Sequence, residues 1–282
     1  MPAINSITPE KLARLIGLPH GPAIVDVRTD QEIASDPRLV PGSVRRDHTH
    51  IAAWSGGLAG RSAVIVDAQC GAAGEGVTAW LRHERVSAEM LDGGTLGWAA
   101  AGLPMVPEAV LPPRDAQGRT VWVTRARPKV DRIACPWLIR RFVDPDAVFL
   151  FVSPGEVTRV AERFGAAAFD VAGEGVVWSH VGAHCTFDTM VARFGLAAVP
   201  GLAQLAVIVR GADTARPDLA PEAAGLVALS LGLSRMFAND LAQLDAGMLL
   251  YDALYRWCRD ATGETHDWVS HTPKAARPKV SA

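Results

Sequence analysis

Through the first third of the chain, apolar residues fall into short runs set off by polar punctuation, the pattern of buried strands alternating with helices. Ala23-Ile-Val-Asp-Val27, Val64-Ile-Val66 and Ser87-Ala-Glu-Met-Leu91 read as strands, and Val40-Pro-Gly-Ser-Val44 as a turn leading into another. Thr8 and Pro9 open a helix as N-cap and first helical residue, with Leu12, Leu15 and Ile16 as its apolar stripe. Val77 begins a second helix, and a third carries Leu96 and Trp98 after Asp92-Gly-Gly94. Short strands alternating with helices predict an α/β fold, a parallel sheet covered on both faces. In such sheets ligands bind beyond the carboxyl ends of the strands.

The pattern changes beyond residue 104. Pro104, Pro107, Pro112 and Pro113 sit in a polar stretch that reads as a linker over residues 107–119. Thr120-Val-Trp-Val-Thr124, Ala147-Val-Phe-Leu-Phe-Val152 and Ala168-Phe-Asp-Val171 are predicted strands. Residues 131–142 and 157–164 are predicted helices, with Pro136 in the first turn of the former or kinking it. From about Phe187 onward the spacing is helical, including one continuous stretch over residues 236–257. The second part is therefore a mainly helical α+β unit, expected over residues 120–270, after a first unit over residues 6–106. Residues 271–282 are expected to be a disordered basic tail.

Composition narrows the functional classes. The 282 residues are 49% hydrophobic, enough for two ordinary cores, and the net charge of −2 argues against bulk attraction to nucleic acid or an anionic membrane. Cysteines at 70, 135, 185 and 258 are too widely spaced for a disulfide framework. No export signal opens the sequence and no apolar run is of membrane-spanning length, so a reducing, cytoplasmic setting is expected.

The densest chemistry lies in Val64-Ile-Val-Asp-Ala-Gln-Cys70-Gly-Ala-Ala-Gly-Glu-Gly76, where a buried strand delivers a thiol to the mouth of a helix. Gly71, Gly74 and Gly76 give the backbone freedom to turn N–H groups toward the sulfur. The positive end of the following helix is expected to lower the thiol pKa. Ile24-Val-Asp-Val-Arg28, Val40-Pro-Gly-Ser-Val44, Cys70 after a strand, and Leu91-Asp-Gly-Gly-Thr-Leu-Gly-Trp98 occur in an order that resembles the rhodanese-like sulfurtransferase domain. The resemblance implies that Cys70 attacks a sulfane sulfur, carries it as a persulfide and passes it to a nucleophilic acceptor. It also implies that Gly71, Ala72, Ala73, Gly74, Glu75 and Gly76 form the substrate-binding loop.

One position departs from that family. Many thiosulfate-using members place an arginine where this chain has Glu75, and a carboxylate there repels a dianion. The expected donor is therefore a less anionic one, a protein or small-molecule persulfide. Arg45, Arg46 and Arg82 are the cations available to compensate. Related phosphatases and arsenate reductases need an arginine where this chain has Gly76, which argues against phosphate chemistry.

The later segments Thr124-Arg-Ala-Arg-Pro-Lys-Val-Asp131 through Phe142, Trp178-Ser-His-Val-Gly-Ala-His-Cys-Thr-Phe-Asp188 and Tyr251-Asp-Ala-Leu-Tyr-Arg-Trp-Cys258 closely resemble the chromate-resistance protein domain. The arrangement as a whole resembles two-domain proteins that fuse the two. Within this part, His180, Cys185 and Asp188 offer imidazole, thiolate and carboxylate to a transition metal, with Cys135 as a distant candidate. Asp245 and Asp252 share a helix face beside Tyr251 and Tyr255, either for acid–base chemistry or paired with Arg256, Arg140 or Arg141. Residues 125–131 read as a charged loop. Besides sulfur transfer, two alternatives stand: a chromate-responsive regulator with a non-catalytic first domain, and a metal-dependent redox enzyme acting in the second.

Overall fold

The computed structural model describes residues 5–264, so the expected basic tail lies outside the described residues. In chain order the first part comprises β1 (Ser6–Ile7), α1 (Pro9–Ala13), β2 (Ala23–Asp26), α2 (Asp30–Ser35), β3 (Arg38–Leu39), β4 (Ser43–Arg45) and α3 (Ile51–Trp54). It continues through β5 (Ser62–Val66), α4 (Ala72–His83), β6 (Ser87–Leu91), α5 (Gly94–Ala100) and β7 (Val106–Pro107). Five strands form one sheet in the order β1-β6-β5-β2-β4, all pairs parallel. The parallel sheet flanked by helices is thus present. Side chains alternate across it. Ile24, Val64 and Val66 join the large core on one face, while Val25, Val27, Ala63 and Ile65 meet Val77 and Leu81 of α4 on the other.

The second part comprises β8 (Val121–Arg125), α6 (Val130–Phe142), β9 (Val148–Val152), α7 (Val157–Phe164), β10 (Ala167–Ala168), α8 (Thr186–Arg193), α9 (Leu202–Asp213), α10 (Glu222–Met236) and α11 (Asp240–Asp260). Its parallel sheet runs β10-β8-β9, and α6 packs against α8, α9, α10 and α11. Ten of the thirteen residues of α6 are buried, which makes it the central rod of this half.

Local differences from the expected elements have physical causes. Helix α1 ends before Leu15, which is exposed, although Thr8 accepts the Lys11 N–H as a cap should. Pro136 lies in the interior of α6, not its first turn, because the helix begins as early as Val130. The expected strand over residues 168–171 is only β10, extended by a single bridge from Phe169 to Trp178. The long stretch over residues 236–257 is broken: α10 ends at Met236, the chain extends at Phe237, and the Asn239 side chain accepts the Ala242 N–H to start α11 afresh.

The proline-rich stretch is tied down. Strand β7 pairs antiparallel with β3, and Val110 and Leu111 pack on the core. One apolar cluster runs through both halves, from Ile7, Leu12 and Trp98 to Trp137 and Phe142. At the seam Gly42 N–H donates to the Phe142 carbonyl at 2.7 Å, and Arg46 pairs with Asp146 at 3.2 Å. Gly17, at φ +79°, sits so close that an added Cβ would fall 2.3 Å from a Phe142 ring carbon and 3.0 Å from Tyr255. Gly17→Ala combines that clash with a left-handed backbone, so a loss of about 2–4 kcal/mol is expected in urea denaturation.

Candidate functional site

Cys70 stands just past the carboxyl end of β5, in the sheet's centre, at φ +63°. The buried Asp67 carboxylate shapes the turn: its two oxygens accept the Cys70 N–H at 2.7 Å and the Gly71 N–H at 2.6 Å. The Gly71 N–H is one that the sequence assigned to the sulfur. The sulfur is held from the other side, donating to the Leu91 carbonyl at 3.2 Å and accepting the Gly93 N–H at 3.2 Å. Asp92-Gly-Gly94 therefore supplies the amide cradle. At Gly94, φ +59°, an added Cβ would meet the Asp67 carbonyl oxygen at 2.5 Å, so no side chain fits there.

Two expectations are corrected. Helix α4 begins at Ala72, so Ala72, Ala73, Gly74, Glu75 and Gly76 are its first turns, and of the expected binding loop only Gly71 lies outside the helix. The thiol pKa is raised, not lowered. Burial is the main cause, Asp67 and Asp92 add to it, and the Gly93 and Gly94 N–H groups only partly offset them. The three candidate cations are engaged elsewhere, Arg45 with Asp30, Arg46 with Asp146, and Arg82 with the Ala88 carbonyl.

Ala72, Ala73, Gly76, Val77 and Trp80 line one side of an open cavity of 570 Å³, faced by His48 and Ile51. His48 also borders a neighbouring 440 Å³ cavity containing Arg28, Arg45 and Arg46. Arg28 is locked to Asp26 and to the carbonyls of Asp36 and Arg38, so that it shapes this wall. The exposed Glu75 lies on the first turn of α4.

A second polar centre sits in the other half. Asp131 on the first turn of α6, Asp170 beyond β10, His180, and Asp213 at the end of α9 converge, with ligand-type atoms all within 4.8 Å of one another. His180 Nε2 is 3.2 Å from Asp213, 3.5 Å from Asp170 and 3.7 Å from Asp131. Burial, then the charges of Asp213 and Asp170, hold the Asp131 carboxyl well above the usual range. Asp213 is raised chiefly by burial and next by Asp170.

Of the three residues the sequence grouped for a metal, His180 joins this cluster and the other two do not. Cys185 is buried at the N-cap of α8, its thiol pushed up first by burial and then by the Asp131 charge. Asp188 accepts the Cys185 N–H at 3.0 Å and pairs with Arg210 at 3.2 Å. Cys135 is fully buried and its thiol is raised. Residues 125–131 are not simply a charged loop, since Asp131 is 1% exposed and helical. Asp245 pairs with Arg140 at 3.3 Å, and Asp252 takes both Arg141 and the Trp137 N–H, so these two carboxylates are structural.

A parallel sheet presenting a cysteine at the end of its central strand, a fold similar to that of rhodanese-like domains, is followed by a helical α+β unit. Residues 122–258 match the family described as ChrB, C-terminal domain, in keeping with the resemblance to chromate-resistance domains. Over 143 residues the chain is 38% identical to Protein ChrB of Cupriavidus metallidurans, which covers 51% of this chain and 42% of that protein. The match thus spans less than half the length of that relative.

Solved structures similar to the first domain include a rhodanese-related protein from Thermoplasma volcanium, 19% identical with a TM-score of 0.33 over 37% of this chain and 99% of that one. Another is a thiosulfate sulfurtransferase from Pseudomonas aeruginosa, 24% identical with a TM-score of 0.32 over 37% of this chain and 19% of that one. Among the described residues, no helix is long and apolar enough to cross a membrane.

Proposed function

We propose that the first domain is a sulfurtransferase that carries sulfur on Cys70, in a protein of chromate resistance. The observation that supports it is the placement of Cys70 Sγ: part-exposed just past the end of the central strand, and steadied by the Gly93 N–H. In the reaction the Cys70 thiolate forms an S–S bond to the donor's sulfane sulfur while the donor's own S–S bond breaks. The donor departs as a thiol, taking up the proton Cys70 released. A nucleophilic acceptor then removes the outer sulfur and Cys70 returns as thiolate. The chemistry requires reduced Cys70, which fits a cytoplasmic location.

Three features favour a persulfide donor over thiosulfate. Glu75 stands on the first turn of α4, Asp67 and Asp92 bias the site against further negative charge, and Arg45 and Arg46 are held by aspartates. The 570 Å³ cavity over the first turns of α4 has room for the body of a low-molecular-weight thiol or a side chain of a protein donor. Intact mass after incubation with glutathione persulfide tests the reading. One added sulfur per chain, removed by cyanide and absent in Cys70→Ser, is expected; no adduct on the native chain overturns it. Glu75→Arg is expected to raise thiosulfate turnover about tenfold relative to persulfide turnover, read as the ratio of kcat/KM values.

A further inference from the structure

We infer that Asp131, Asp170, His180 and Asp213 form a binding site for one divalent first-row transition ion, with Mn²⁺ or Fe²⁺ the best fit. The donor set is three carboxylate oxygens and one imidazole nitrogen, a mixed oxygen-rich group suited to those ions. It is independent of the sulfur chemistry proposed for Cys70.

An acidic cluster alone would not carry this. The further observation is Asp131 Oδ1, which is buried with no hydrogen-bond partner, on a side chain with no exposure at all. Its companion Oδ2 is fixed by the N–H groups of Thr186 at 2.6 Å and Phe187 at 3.3 Å, at the start of α8. A carboxylate anchored by one oxygen, with the other bare and sealed from water, is costly unless a cation meets it. The other two acids also have partners outside the cluster's ligand atoms. Asp170 Oδ1 accepts from the Thr186 hydroxyl at 3.1 Å and Oδ2 faces Arg132 at 3.2 Å, while Asp213 Oδ1 faces the Asp131 N–H at 3.4 Å. Such outer contacts orient ligands around a metal.

Spacing agrees. Ligands about 2.1 Å from one ion lie roughly 3–3.5 Å apart when adjacent. The His180 Nε2 distances of 3.2 Å to Asp213 Oδ2 and 3.5 Å to Asp170 Oδ1 fall within that range, and the 3.7 Å to the amide-held Asp131 Oδ2 lies just above it. The competing arrangement is a protonated His180 serving as the cation. It falls short because a single Nε2–H donates well to one oxygen, and three carboxylates surround it. Arg132 and Arg125 both face Asp170, at 3.2 and 3.6 Å, and leave Asp131 and Asp213 to share the histidine. His180 is 42% exposed, which gives an ion a way in.

Titration calorimetry of the full chain, freed of metal with chelator, tests the site with Mn²⁺ and separately with Zn²⁺. One ion per chain and a rise in Tm are expected. His180→Ala and Asp213→Asn are each expected to weaken binding about 100-fold and abolish the Tm rise. Asp131 is left intact because its carboxylate also caps α8. Circular dichroism checks that both variants fold; if either does not, the conservative His180→Gln and Asp213→Glu replace them. Absence of saturable binding of both ions, or binding equally tight in folded variants, overturns the inference.

Discussion

Asp252→Ala is expected to lower the stability of the folded chain by about 3–5 kcal/mol, the usual cost of stripping one partner from a buried charged pair. The carboxylate accepts three bonds at 2.8 Å, two from Arg141 in a fork and one from the fully buried indole N–H of Trp137. Removing it leaves an uncompensated guanidinium and an unsatisfied N–H inside the seam between α6 and α11. Arg141 is 21% exposed and recovers some hydration, which sets the loss nearer the lower bound. Asp252→Asn keeps an acceptor for one donor and should cost less. Urea denaturation followed by tryptophan fluorescence measures both. A loss below 1 kcal/mol in Asp252→Ala would place the hold on α11 elsewhere, in the Gln243 amide on the Pro128 carbonyl and the Tyr251 hydroxyl on the Val130 carbonyl.

That fork also explains how much of the molecule its sequence discloses. Residues 245 and 252 are visible as one helix face, and Arg140-Arg141 as candidate partners, but a face does not say which helix it meets. The parallel sheet is readable because each strand and its helix are neighbours in the chain, bounded by turn residues such as those at 40–44 and 92–94. Cys70 is readable as the residue at a strand end. Its chemistry is not, because the helix-dipole argument omits Asp67, whose buried carboxylate takes the two amides nearest the thiol. The acidic centre is harder still. Asp131, Asp170 and Asp213 come from a helix start, the segment after a two-residue strand and a helix end, so no short spacing joins them. Only His180 stands out locally. Asp188, the nearer carboxylate in sequence, is drawn off by Arg210 and by its own helix N-terminus.

The reactivity of Cys70 should climb steeply with pH, roughly 100-fold between pH 7 and 9, because its thiol is held above the ordinary value near 9.0. The sign follows from which form reacts. Burial disfavours the thiolate, so at neutral pH only a small fraction is ionised, and that fraction grows about tenfold per pH unit until the pKa is passed. A cysteine activated by a helix N-terminus would instead level off near or below neutrality. Iodoacetamide alkylation at Cys70, followed by peptide mass spectrometry, separates the two profiles. Asp67→Asn removes one of the two charges that oppose ionisation, so its profile should move to lower pH. Burial is the larger cause and remains, so the variant should still rise past pH 8. The same substitution leaves one acceptor oxygen where two N–H groups were held, and the turn at Cys70 loosens. If the native profile levels off below pH 8, the thiolate is stabilised by more than the Gly93 and Gly94 amides. The donor preference argued from Asp67, Asp92 and Glu75 then fails with it, since a site that favours the thiolate also tolerates an anionic donor.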